Sequence, residues 1–120
     1  MARRRMMRSP RRAKYNVPVN IIERDEEFEV WVYALAFDKE NIKVSVIEDT
    51  LYIHGKREPE EEYPNFLLHE YPIKSFERSF ELSHRVDKSK IKAVYENGIL
   101  KLKIGKSEAA INPEINIDVA

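Results

Sequence analysis

The chain has 120 residues, no cysteine and equal numbers of basic and acidic residues, 21 of each. This length fits one compact domain with short arms, and the lack of cysteine excludes disulfides, thiolate catalysis and cysteine-ligated zinc. No stretch approaches the ~18 consecutive apolar residues of a membrane span, and Met6-Met7 is too short for the apolar centre of a signal peptide. We therefore expect a cytoplasmic protein with no membrane partner.

The charges are unevenly distributed along the chain. Seven of the 21 basic residues precede the first acid, Glu23, so 14 remain against 21 acids. Residues 1–15 are charged and lack apolar periodicity, which predicts a flexible basic N-terminal arm. Arginines there could contact phosphates, but the arm has no aromatic residue before Tyr15 and the body is acidic. We do not expect a nucleic-acid partner.

Short alternating segments follow the arm. From Phe28 to Leu35 both sets of alternate side chains are mainly apolar, which predicts a strand buried on both faces. Two half-buried strands follow, around Val44 and Ile53, and Glu48-Asp49 between them predicts a hairpin.

The middle of the chain carries an acidic run and an isolated apolar patch. Glu58 to Glu62 lacks the glycine and the spacing of a calcium loop, so we interpret it as a solvated loop. Phe66-Leu67-Leu68 follows, and a short strand there would need a partner.

Further strands are indicated by Phe76 to Leu82 and Ile91 to Tyr95. Asn97-Gly98 then predicts a type I′ hairpin with Ile99 to Leu102. About seven short strands without helical periodicity indicate an all-β protein, an immunoglobulin-like antiparallel β-sandwich.

No segment carries the spacing of an enzyme or metal site. Gly105-Lys106-Ser107 ends like a phosphate-binding loop, but the first glycine of that motif is replaced by Leu100. The three histidines, His54, His69 and His84, form no metal-ligand pair. Ser83, His84 and Asp87 are hydrolase residue types in a turn without a nucleophile elbow. We predict no catalysis, no cofactor and no metal.

Two features indicate subunit contacts. Arg78 shares a face with Phe76 and Phe80. It forms either an interface ion pair with an unidentified acid, which we favour, or a stem covering the sheet edge. In the tail, Pro113 favours extension, and an extended chain projects Ile115, Ile117 and Val119 to one side.

Several segments resemble the small heat-shock protein (α-crystallin, Hsp20) family over residues 16–104 and the tail. Ser75-Phe76-Glu77-Arg78-Ser79-Phe80-Glu81-Leu82 is similar to its Phe-x-Arg-x-Phe-x-Leu strand, and Ala93-Val94-Tyr95-Glu96-Asn97-Gly98-Ile99-Leu100 to its Ala-x-x-x-x-Gly-Val-Leu signature. The sequence departs from the family at Leu35-Ala36, where Pro-Gly is usual, at Ser83, which replaces a common proline, and at Gly105, where Pro-Lys often ends the domain. These departures bear on loop rigidity rather than on the fold.

The resemblance implies an N-terminal arm (1–15), an α-crystallin domain (16–105) and a C-terminal extension (106–120). It further implies an ATP-independent holdase that forms homo-oligomers and binds unfolded client proteins, with Met6 and Met7 as client contacts. Dimers would form by strand exchange through Phe66, Leu67, Leu68 and Glu70, with Arg78 at the interface. The tail of Ile115, Ile117 and Val119 would dock in a groove of a neighbouring subunit, formed by Val44, Val46, Ile91 and Ala93. The alternative is a monomeric p23-like co-chaperone; an enzyme ranks third.

Overall fold

The computed structural model describes residues 15–58, 62–111 and 117–119. Within them the chain forms seven strands: β1 Val19–Glu23, β2 Glu27–Tyr33, β3 Ile42–Ile47, β4 Thr50–Gly55, β5 Phe76–Glu81, β6 Val86–Glu96 and β7 Ile99–Lys106. A 3-10 helix at Lys39–Asn41 precedes β3, and a four-residue helix, α1, spans Glu108–Ile111. The domain boundaries at 15 and 105 stay predictions, and Met6, Met7 and Ile115 lie outside the described residues.

The strands form two antiparallel sheets. A four-stranded sheet has the order β1-β2-β7-β6, and a three-stranded sheet the order β3-β4-β5. β1 and β6 are thus the edges of the larger sheet, and β3 and β5 those of the smaller one. This arrangement confirms the predicted all-β immunoglobulin-like sandwich.

The core lies between the sheets and follows the alternation of the sequence. Leu51 and Ile53 on β4 are fully buried, as is Leu102 on β7. Burying one such side chain stabilises a fold by about 1.5 to 3 kcal/mol. The other buried apolar residues are Val17, Val30, Val32, Ala34, Phe76, Leu100 and Ile104.

Two tight turns set the register of the hairpins. Glu48-Asp49 joins β3 to β4, with Ile47 paired to Thr50. Asn97 and Gly98 join β6 to β7 with φ angles of 54° and 76°, as a type I′ turn requires. A side chain at Gly98 would run into Leu35. Both predicted hairpins are confirmed.

Two predictions about local structure are wrong. The second face of β2 is half-buried at Trp31 and Tyr33, and Leu35 is exposed because the strand has already ended. β6 begins at Val86 rather than near Ile91, through an irregularity between those residues. Phe66 to Leu68 forms no strand with the described part of its own chain, and its pairing with a partner stays a prediction.

Candidate functional site: an edge groove and three exposed apolar segments

A groove runs between β3 and β6, edge strands of opposite sheets. It has a volume of about 230 Å³ and is lined by Lys39, Ile42, Val44, Ala93, Tyr95 and Leu100. The structure therefore brings together two of the predicted groove residues, Val44 and Ala93. The other two, Val46 and Ile91, pack against the core beside it and do not line it.

The ring of Tyr95 forms one wall of this groove and is fixed by its hydroxyl. The Tyr95 hydroxyl donates to the carbonyl oxygen of Ala34 at 2.6 Å and accepts from the backbone N–H of Phe37 at 3.4 Å. Two bonds to one hydroxyl leave the ring little freedom to turn away. The groove is thus a preformed apolar surface, and sequence analysis did not identify Tyr95 as part of it.

The tail presents apolar side chains away from this groove. Ile117 and Val119 are 82% and 95% exposed, so neither contacts the β3–β6 groove of its own chain. An exposed apolar comb and an apolar groove in one chain are complementary surfaces.

Arg78 contacts the segment before β1. Its Nη1 donates to the carbonyl oxygen of Val17 at 3.1 Å, and its guanidinium lies 5.4 Å from the centre of the Phe80 ring. In the described part of the chain no acid forms an ion pair with it. The predicted interface ion pair stays a prediction, and within the chain Arg78 holds the start of the fold.

The segment Phe66–Glu70 exposes its apolar side chains, and local contacts hold its His69 ring. Leu67 and Leu68 are 104% and 74% exposed. The His69 ring stacks on Phe66, with centroids 4.2 Å apart, and its Nε2 lies 2.8 Å from the carbonyl oxygen of Tyr71. Neighbouring exposed apolar side chains of this size are typical of an interaction surface.

An ion cluster that was not predicted from the sequence lies where the tail begins. Lys106 is only 6% exposed because it continues the inward alternation of Leu100, Leu102 and Ile104, a signal that was available in the sequence. Its Nζ donates to Oε2 of Glu23 at 2.8 Å, and Arg85 donates to the same oxygen at 2.8 Å. The bond from Lys106, followed by that from Arg85, holds the pKa of Glu23 below its usual value.

The candidate enzyme residues have structural uses. The Ser83 hydroxyl accepts from the backbone N–H of Arg85, and Asp87 accepts from the backbone N–H and hydroxyl of Ser89. Among the described residues no three carboxylate, imidazole or thiol groups come together as metal ligands. No helix within those ranges is long and apolar enough to cross a membrane.

A β-sandwich with an apolar edge groove and an exposed apolar tail places this protein in the class of α-crystallin domains. The family model "Hsp20/alpha crystallin family" matches residues 20–120, and the chain belongs to this family. It is 31% identical over 100 residues to small heat shock protein C4 of Rickettsia felis, covering 82% of this chain and 61% of that protein. It is 37% identical over 71 residues to spore protein SP21 of Stigmatella aurantiaca, covering 58% of this chain and 42% of that protein.

A solved structure shows the same fold. The crystal structure of a small heat-shock protein from Xylella fastidiosa superposes with a TM-score of 0.73 at 27% identity, covering 90% of this chain and 99% of that chain. The chain spans less than two thirds of the length of the two curated relatives above.

Proposed function

We propose that the protein is an ATP-independent holdase chaperone that assembles into homo-oligomers and binds partly unfolded proteins in the cytoplasm, without enzymatic activity. The observation that carries the proposal is the complementarity of two surfaces. The β3–β6 groove is apolar and preformed, while Ile117 and Val119 of the same chain are exposed. Family membership supports the chaperone role.

Tail docking between subunits follows from this complementarity. Burying one isoleucine contributes about 1.5 to 3 kcal/mol of binding free energy. Ile115 and Ile117 together would therefore contribute roughly 3 to 6 kcal/mol, before the cost of ordering the tail is subtracted. A single contact of this strength opens readily. Many such contacts within one assembly become intramolecular and hold together strongly, which gives an oligomer that exchanges subunits.

The dimer within that oligomer would form by strand exchange. Within the described part of the chain Leu67 and Leu68 are exposed, and β1 is an edge strand with one side unpaired. An exposed edge pairs readily with a strand from another chain. Arg78 lies next to β1 through its bond to Val17, which fits a place at this interface.

The tail experiment compares Ile115→Ala/Ile117→Ala with Asn116→Ala. The isoleucine variant is expected to shrink the assembly to dimers or small species in native mass and light-scattering measurements, because both apolar anchors are lost. The asparagine variant, whose side chain points the other way in an extended tail, should keep the parent mass. An unchanged mass for the isoleucine variant would refute tail docking.

The holdase experiment follows the light scattering of a heated client protein without nucleotide. We expect the protein to suppress aggregation at equimolar ratio, since released subunits expose apolar surface. Lysozyme at the same concentration is the control for non-specific crowding. Full aggregation would exclude the holdase, and a stable monomer in native mass measurement would favour the p23-like co-chaperone instead.

A further inference from the structure

A second apolar cavity lies at the other side of the sandwich, between the edge strands β1 and β5. Its volume is about 300 Å³, larger than that of the β3–β6 groove. Both sheets contribute apolar side chains to its walls: Ile21, Phe28, Val30, Leu51, Phe80, Leu82, Val86 and Ile104. None of the contacts predicted for the tail or for the segment Phe66–Glu70 uses this cavity.

The rim of the cavity is polar and has one available negative charge. Arg85 on the rim is already bonded to Glu23, and Ser83 receives a backbone bond. Glu81 has no ion-pair partner in the described part of the chain. An occupant with an apolar centre flanked by positive charge would match this site.

The described chain begins beside the start of β5, and the end of the same strand lines the cavity. Asn16 Nδ2 donates to the carbonyl oxygen of Glu77 at 3.0 Å, and Arg78 binds the carbonyl of Val17 while its guanidinium lies over Phe80. Phe80 is a wall of the cavity. The arm of residues 1–14 therefore joins the fold at the strand, β5, that lines the cavity.

The arm has the composition and length to fill the cavity. Met6-Met7 is its one pair of adjacent large apolar side chains and lies between Arg5 and Arg8. Nine residue-to-residue steps lead from Met7 to Asn16 and can span about 30 Å. The four steps from Val17 to Ile21 cover only about 13 Å along a strand. Methionine is unbranched and adapts to irregular apolar spaces.

We propose that Met6 and Met7 of the chain's own arm dock in the β1–β5 cavity, with a flanking arginine against Glu81. The cavity is then an arm-binding site distinct from the tail-accepting groove at the opposite edges of the sheets. Apolar burial supplies the attraction, and the opposite charges of the arm and Glu81 add to it.

Cysteine pairs test this docking, because the natural sequence has no cysteine. Met7→Cys/Ser83→Cys places one thiol in the arm and one on the rim, and Met7→Cys/Ser45→Cys is the matched control on the exposed face of β3. Docking raises the local concentration of the two thiols, so the rim pair should oxidise to an intrachain disulfide about tenfold faster than the control pair. Non-reducing gels and mass spectrometry measure both products.

Two results would overturn the proposal. Equal oxidation rates for the two pairs would show that the arm has no preference for the cavity. A disulfide-linked dimer as the main product of the rim pair would assign the cavity to the arm of a neighbouring copy. Circular dichroism of the reduced variants establishes that Ser83→Cys keeps the fold.

A regulatory consequence rests on the proposed holdase function, whereas the crosslink itself does not. A docked arm withholds Met6 and Met7 from clients, so the oxidised rim pair should protect a heated client less well than its reduced form. If the disulfide forms but reduction restores no protection, the arm docks without regulating client binding. If the parent protein shows no protection, the holdase proposal fails and the docking stands on the crosslink.

Discussion

The turn after β2 is held by side chains from three other segments. The carbonyl oxygens of Ala34, Leu35 and Ala36 accept hydrogen bonds, in that order, from the hydroxyls of Tyr95 and Tyr71 and from the guanidinium of Arg57. Ala36 has a φ of 63°, a left-handed conformation that costs a residue with a Cβ roughly 1 to 2 kcal/mol. Small heat-shock proteins usually have glycine at this position. Here the tertiary hydrogen bonds hold Ala36 in a backbone conformation that alanine disfavours.

Ala36→Gly is expected to stabilise the protein. Glycine adopts positive φ without the Cβ penalty. This gain exceeds the cost of glycine's greater conformational entropy in the unfolded chain, so the free energy of unfolding should rise by about 0.5 to 1 kcal/mol. Thermal unfolding at a fixed protein concentration measures this as a higher Tm. Ala34→Gly, at a buried position two residues earlier, should lower Tm, and a lower Tm for both variants would contradict the argument.

Glu29 of β2 forms an acid-sensitive ion pair with Arg24, and Trp31 donates to the same carboxylate. The bond from Arg24, followed by that from Trp31 Nε1, lowers the pKa of Glu29 to about 2. Since the folded pKa lies below the usual 4.5, the pair stabilises the fold above that value. This contribution is lost as the pH falls toward about 2.

The free energy of unfolding of Glu29→Gln should therefore fall less steeply than that of the parent between pH 4.5 and about 2. Urea unfolding at several pH values, followed by the emission of Trp31, the single tryptophan, measures that slope. Glu96→Gln removes an exposed carboxylate that has no ion pair among the described residues, and it should keep the parent slope. A parent slope for Glu29→Gln would show that the pair contributes no acid-sensitive stability.

Among the elements of the fold, the sequence predicts the hairpins, because their strand pattern and turn residues are local in the chain. Alternation at Leu51 and Ile53 and the positive φ required at Asn97-Gly98 were sufficient for both hairpins. The location of β6 and the exposure of Leu35 depend on contacts across the sandwich, which no local pattern contains. In the groove, Val44 and Ala93 were predicted by resemblance, while Tyr95 depends on a hydrogen bond to Ala34 that only the fold reveals.

The Glu23, Lys106 and Arg85 cluster joins β1, β7 and the turn before β6 at the point where the tail begins. Glu23→Gln should destabilise the fold more than Lys106→Met, because it leaves a buried ammonium without its carboxylate, whereas methionine fills the same space without a charge. Urea midpoints measure the difference. The exposed Lys103→Met should lie near the parent, and a larger loss for Lys106→Met than for Glu23→Gln would contradict this account.

For the whole molecule, the proposed assembly uses surfaces at separate places. In this proposal the tail and the β3–β6 groove would link dimers, while the segment Phe66–Glu70 would pair with an edge such as β1 and form the dimer. Because these surfaces share no residues, their substitutions should act additively on assembly. A variant at one surface should therefore leave the other contact intact.

Leu67→Asp tests the strand-exchanged dimer without disturbing the subunit. Leu67 is fully exposed within the chain, so its replacement should change the stability of the isolated subunit by no more than about 0.5 kcal/mol. In a dimer interface the same charge would be buried beside apolar groups, and we expect native mass measurements in the Ile115→Ala/Ile117→Ala background to shift from dimer to monomer. Asn65→Asp adds an equal charge in the same loop and should keep the dimer. A dimer that persists in Leu67→Asp with unchanged dissociation on dilution would exclude this segment from the interface.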